Sequence, residues 1–232
     1  KNMYNVGGIL GYGEATEIGT VKNCEKSGII KGENTEQVGG IIGYAKDINV
    51  EKCNNINTIE IIGNMKNTGG YIGGILGSGS ADITDCNNNG RVVADSYHKV
   101  GGIAGNLNSG MISNCINNKE IEGENSVAGI VGESWGSIAG CQNHGNVIGK
   151  NYVTGIAGIA LIDSNTEKVS IENVENTGFI SGEDYVAGIV GYTNINNVEL
   201  KGTLTNSGEI KGNRYVAGII ALLGNYKNEE ET

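Results

Sequence analysis

The chain has 232 residues, with 40 glycines, no proline and one residue each of Phe and Trp. That composition is too glycine-rich and too poor in aromatics for an ordinary globular core, and it suits thin strands stacked at close range. A net charge of -10 with no basic cluster argues against a nucleic-acid partner. The longest apolar stretch, about 153–162, is broken by Thr154 and Gly155 and is far short of the ~18–20 residues of a membrane-spanning helix.

Internal repetition dominates the chain. An anchor of Val/Ile, Gly/Ala/Thr, Gly, Ile, apolar, Gly begins at Val6, Val38, Ile72, Val100, Val127, Val153, Val186 and Val216, at intervals of 32, 34, 28, 27, 26, 33 and 30 residues. A second element follows each of the first seven anchors in phase: an apolar residue, two polar residues, then Cys or an apolar residue, and an Asn-rich turn. It reads Val21–Cys24, Val50–Cys53, Ile83–Cys86, Ile112–Cys115 and Ile138–Cys141, with Val174 and Leu204 in the Cys position of the last two repeats. A third, short element has the form Gly, any, Ile/Val, any, Gly, as in Gly145–Gly149 and Gly208–Gly212.

Each repeat thus holds three short apolar segments with Gly- and Asn-rich corners. Frequent glycine costs a helix roughly 1 kcal/mol per residue, and short β-branched runs bounded by Gly and Asn read as strands. One repeat cannot bury its own apolar face, whereas stacked repeats bury a continuous core. The pattern predicts an all-β fold: a parallel, right-handed β-solenoid with about three short strands per 26–34 residue repeat. At ~4.8 Å per step, seven steps give a rod of roughly 35 Å. A β-propeller is the runner-up, but its blades need ~40–50 residues each.

The anchor poses a geometric problem. Val6 and Ile9 would face opposite sides of a flat strand, yet both positions are apolar in every repeat. A bend or bulge is expected at the intervening Gly8, Gly40, Gly74, Gly102, Gly129, Gly155, Gly188 and Gly218, through an unusual backbone angle or close approach of a neighbouring chain. The alternative is burial of both faces under a second layer.

The tetrads Gly8-Ile9-Leu10-Gly11, Gly40-Ile41-Ile42-Gly43, Gly74-Ile75-Leu76-Gly77 and Gly102-Ile103-Ala104-Gly105 return at 129–132, 155–158 and 188–191, and the eighth ends in Ala221. This run resembles the GLUG repeat of bacterial surface and secreted proteins, with Ile in place of the Leu, over nearly the whole chain. The resemblance implies a module of secreted or wall-attached proteins. Some of these are adhesin-like, and others carry the repeats beside an IgA-type zinc metallopeptidase. The repeat brings no catalytic residues with it. The chain has neither the His-Glu-x-x-His motif of such peptidases nor a Leu-Pro-x-Thr-Gly sorting signal.

Five cysteines, 24, 53, 86, 115 and 141, share one repeat position. Their odd number and common direction suit a buried column of free thiols rather than disulfides. Only His98 and His144 are available to join them, so no metal is expected. Asn55, Asn88, Asn117, Asn143, Asn176 and Asn206 lie two residues beyond the Cys position, where the first repeat has Lys26. Asn suits left-handed turn conformations and bonds to local backbone groups, and stacked amides can bond along the rod; a polar ligand groove is the minority reading.

Tyr71, Tyr152, Tyr185 and Tyr215 precede an anchor, Tyr12, Tyr44 and Tyr192 follow one, and Trp135 sits in a variable loop. Tyr152, Tyr185, Tyr215 and Trp135 are the candidate ligand contacts, set against the plainer reading of cross-strand packing. The long segments Gly11–Val21 and Ala160–Val169 are further binding candidates. Asp47, Asp82, Asp85 and Asp95 are the nearest approach to a glycosidase-like acid set, but they form no regular column.

The expectation is therefore a single repeat domain over 1–232 of seven to eight coils, either a segment of a longer protein or one whose ends associate, since neither end reads as a cap. It is expected to be non-enzymatic, without a cofactor, extracellular or wall-associated, and to act as spacer and interaction surface toward a host glycoprotein or glycan and its own neighbouring domains. The alternative is an accessory substrate-contact domain of a secreted protease or carbohydrate-active enzyme.

Overall fold

The coil at residues 99–122 shows the plan of the molecule. Strands Lys99–Gly101, Ala104–Ser109, Met111–Ser113, Ile116–Asn117 and Ile121–Glu122 follow one another, and each pairs in parallel with its equivalent one coil before and one coil after. The structure is a computed structural model that describes residues 5–33, 35–62, 70–95, 99–161, 169–194 and 198–224. Among these residues there is no helix and every strand pairing is parallel, so the chain is a β-solenoid of about seven turns. A propeller, with its ring of antiparallel blades, is ruled out.

The three sequence segments are all strands, and two of them break in the middle. The anchor divides at its glycine. Gly8-Ile9, Gly40-Ile41, Gly74-Ile75 and the five later pairs are bends, with a strand on either side. None of these glycines has a positive φ, so close approach rather than an unusual backbone angle demands them. A Cβ on Gly74 would collide with the carbonyl oxygen of Gly102 in the next coil and with the side-chain amide of Asn88.

The bend resolves the problem of the two anchor faces. Before it, Val38, Ile72, Val100, Val127, Val153 and Val186 stack in one eight-stranded sheet and pack with third-segment residues such as Ile59, Val92, Ile121, Val147 and Ile180. After it, the pairs Ile41-Ile42, Ile75-Leu76 and Ile103-Ala104 and their equivalents pack with second-segment Val50, Ile83, Ile112 and Ile138 and with the Cys column. One coil therefore encloses two apolar columns.

A polar spine runs beside the bends. Asn55 Nδ2 donates to Asn88 Oδ1 at 2.7 Å, and the bond recurs from Asn88 to Asn117, Asn117 to Asn143, Asn143 to Asn176 and Asn176 to Asn206 at 2.7–2.8 Å. Each of these amides also donates to the backbone carbonyl two residues on, as Asn88 does to Gly90 at 2.8 Å. The bonding along the rod is as expected, but these Asn residues do not make the left-handed turn. That turn comes before the Cys position, at Asn23, Lys52, Asp85, Asn114, Gly140, Asn173 and Gly202, with φ of 50–64°. In the first five repeats it breaks the second segment in two, whereas Val169–Asn176 and Val198–Asn206 run through it as single strands; in each case the Cys-position residue and the residue two positions on lie on the same side of the chain.

All five cysteines are free. In the column, the Cys53 and Cys86 backbone N–H groups donate to the sulfur one coil on at 3.4 Å. The thiols of Cys53, Cys86, Cys115 and Cys141 donate to backbone carbonyls at 3.2–3.6 Å. The neighbouring thiol Cys115 and burial push Cys86 up to about 12, and the same causes raise Cys53 and Cys115. These are inert apolar fillers.

Candidate functional site: an aromatic strip beside the glycine bend

Two side-chain columns flank the anchor bend. One holds the residue before each anchor: Asn5, Gln37, Tyr71, Lys99, Ser126, Tyr152, Tyr185 and Tyr215. The other holds the residue after each tetrad: Tyr12, Tyr44, Ser78, Asn106, Glu133, Ile159, Tyr192 and Leu222. The small residue closing each tetrad brings them together. A Cβ on Gly158 would touch the Ser126 backbone, and one on Gly191 would touch Cα of Tyr152 at 3.2 Å. Every described tyrosine lies in these two columns, and Trp135 lies two residues past Glu133.

The tyrosine column is strained and stacked. Tyr152, Tyr185 and Tyr215 have φ of 53°, 55° and 53°, and Ser126 has 47° at the equivalent place. A bulky residue in that region costs roughly 1–2 kcal/mol. The rings stack at 4.6 and 4.8 Å with interplanar angles of 5° and 3°. Such a pair is worth about 0.5–1.5 kcal/mol, so stacking offsets much of the strain.

The stacking also limits what the column can contact. Tyr185 has one neighbouring ring on each face, so it offers only its edge and hydroxyl. Tyr215, at the end of the stack and 53% exposed, has a ring on one face only among the described residues. Tyr12 and Tyr44 stack likewise at 5.3 Å, and Tyr192 is buried with its hydroxyl donating to Gly224 O at 3.0 Å.

Sequence reasoning missed the charged part of the strip. Lys99 Nζ lies 5.1 Å from the Tyr71 ring centroid and 2.8 Å from Glu133 Oε1. Trp135 Nε1 donates to the same carboxylate oxygen at 3.1 Å. Lys99 and Glu133 occupy the tyrosine phase of the repeat, which was the available signal. They are the only charged residues in the two columns, and they are paired. Beside Tyr185 and Tyr215, Arg214 makes a two-pronged bond to Asp184, holding that carboxyl below the usual carboxylate range. Lys46 and Tyr12 likewise lower Glu14 at the opposite end.

The other sequence candidates do not assemble. Asp47 and Asp82 line one shallow open depression of about 140 Å³ with Ile18 and Asn49. Asp82 Oδ1 accepts from the Met111 N–H at 2.9 Å, while its own N–H donates to Asn49 Oδ1 at 3.0 Å. Asp85 is exposed at a left-handed corner, and Asp95 is exposed elsewhere. Among the described residues no three His, Cys, Asp or Glu converge in a way that could hold a metal. Gly11–Val21 lies within the exposed strand Leu10–Lys22. Most of Ala160–Val169, and His98, lie outside the described residues.

Comparison with family models, with curated proteins and with solved structures gives no match. The strip combines aromatic edges, hydroxyls, amides and one partly buried ion pair.

Proposed function

We propose that the chain is a non-catalytic spacer and contact module of a secreted or cell-surface bacterial protein. The observation that carries this reading is the one-sided gathering of the described tyrosines and Trp135 beside the glycine bend, with both apolar columns buried in the inner coils and the interior occupied by thiols and an amide spine. Tyr and Trp supply large contact area at low entropic cost. The in-phase Gly-Ile-apolar-Gly tetrads, similar to those of GLUG repeats, support the location at the cell surface.

The test uses antibody raised against the folded chain, together with beads coated with it. Labelling of intact producing cells and adhesion of the beads to a host surface are expected. Labelling only after lysis, with beads that adhere no better than albumin-coated ones, would contradict the reading.

A further inference from the structure

Resting on the reading of the chain as a contact module, we infer that the part of the strip from Tyr71 to Trp135 is a binding site for a neutral, hydroxyl-rich glycan lying along the rod.

The first support is charge. The whole chain carries -10, yet in the two strip columns the only charges, Lys99 and Glu133, cancel at 2.8 Å. An anionic polymer meets repulsion from the rest of the rod. A cationic one finds no free carboxylate in either column. A neutral polymer meets neither obstacle.

The second support is the set of groups. Glu133 Oε1 accepts from both Lys99 and Trp135, which fixes an indole beside an ammonium and a carboxylate. Lys99 also sits over the Tyr71 ring. Asn106, one rung from Glu133, is 5% exposed and its Oδ1 has no partner among the described residues, while its Nδ2 donates to exposed Asn108 at 2.6 Å. A buried acceptor without a donor requires a reason. A ligand hydroxyl supplies one once the Asn106 amide turns outward. Half-buried Trp135 offers the apolar surface that a pyranose ring uses, which Tyr185, stacked on both faces, does not.

The third support is spacing. The rungs of the strip lie one coil apart, as the 4.6 and 4.8 Å ring separations show. An extended peptide rises only ~3.3 Å per residue and meets a rung in phase only once in three residues. A chain of pyranoses, each about one rung long, keeps phase.

The test is affinity electrophoresis in gels cast with neutral polysaccharides (galactomannan, xyloglucan, glycogen) or acidic ones (polygalacturonate, hyaluronan). Retardation by at least one neutral polymer, unaffected by added salt, is expected. Trp135→Ala weakens it about tenfold or more, Glu133→Gln weakens it while preserving shape, and Asn118→Ala, at an exposed position in neither column, leaves it unchanged. Melting curves confirm that each variant is folded. Retardation by acidic polymers alone, by none, or equally by wild type and a folded Glu133→Gln variant would overturn the inference. Bead adhesion that survives enzymatic removal of surface glycans would overturn it too, while leaving the contact-module reading in place.

Discussion

Asn117 accepts a hydrogen bond from Asn88 at 2.8 Å on one side and donates one to Asn143 at 2.7 Å on the other, wholly buried between them. Its amide also donates to Lys119 O at 2.8 Å. Replacing it therefore leaves a donor on Asn88 and an acceptor on Asn143 unsatisfied in a dry interior, at about 1–3 kcal/mol each. Asn117→Ala is expected to lower unfolding stability by ~3 kcal/mol in urea titration. Exposed Asn118→Ala, which removes only the surface bond to Asn89, should cost under ~1 kcal/mol. Equal effects of the two would show that the spine contributes nothing special.

The anchor glycines provide their own control. A Cβ at Gly74 collides with Gly102 O and Asn88, whereas at Gly218, the same repeat position in the last coil, nothing lies within 4 Å. Gly74→Ala should cost ~3 kcal/mol or more, or prevent folding, and Gly218→Ala should change stability by less than ~0.5 kcal/mol. Thermal or urea unfolding of both variants decides the point. A similar cost at both sites would mean that backbone conformation, not contact with the next coil, selects glycine there.

Tyr185 reverses the usual order of substitutions. Ala loses both stacking contacts and keeps the strain of φ 55°, while Gly loses the contacts and escapes the strain. Tyr185→Ala is expected to be less stable than Tyr185→Gly by ~1 kcal/mol. If Gly is the worse of the two, as at ordinary strand positions, the left-handed geometry is wrong.

The thiol column makes stability depend on alkaline pH. A folded-state pKa raised above the unfolded value means that only the unfolded chain ionises between the two. The contribution is thus complete below about pH 8.5 and is lost as pH rises toward about 12, the Cys86 value. Urea midpoints from pH 7 to 11 should fall more steeply for wild type than for a Cys53→Ala, Cys86→Ala, Cys115→Ala variant. At pH 7 the three thiols should not react with a disulfide reagent until the chain unfolds. Parallel pH profiles, or rapid reaction of the native protein, would contradict the buried column.

Much of this was legible because the repeat writes each column many times. The Val column, the Ile pairs, the thiols and the bonded Asn residues each recur at a fixed phase, so their stacking followed from burial alone. The left-handed corner was misplaced by three residues because Asn is favoured both at such corners and in buried ladders. Asn114 takes the first role and Asn117 the second. The Lys99–Glu133–Trp135 group stayed hidden for a different reason. Lys99 is distant in the chain from Glu133 and Trp135, and only the fold of the anchor, which sets the tetrad's end against the residue before the previous anchor, brings it to them.

The in-register stack is most directly measured by the distance between two surface positions in one column. Asn54 and Thr205 are five coil steps apart, through Asn87, Ile116, Gln142 and Glu175. Spin labels at these two sites should give a narrow distance distribution centred near ~24 Å, at ~4.8 Å per step. A broad distribution, or a mean displaced by more than the label's own reach, would contradict the solenoid and every conclusion built on its columns.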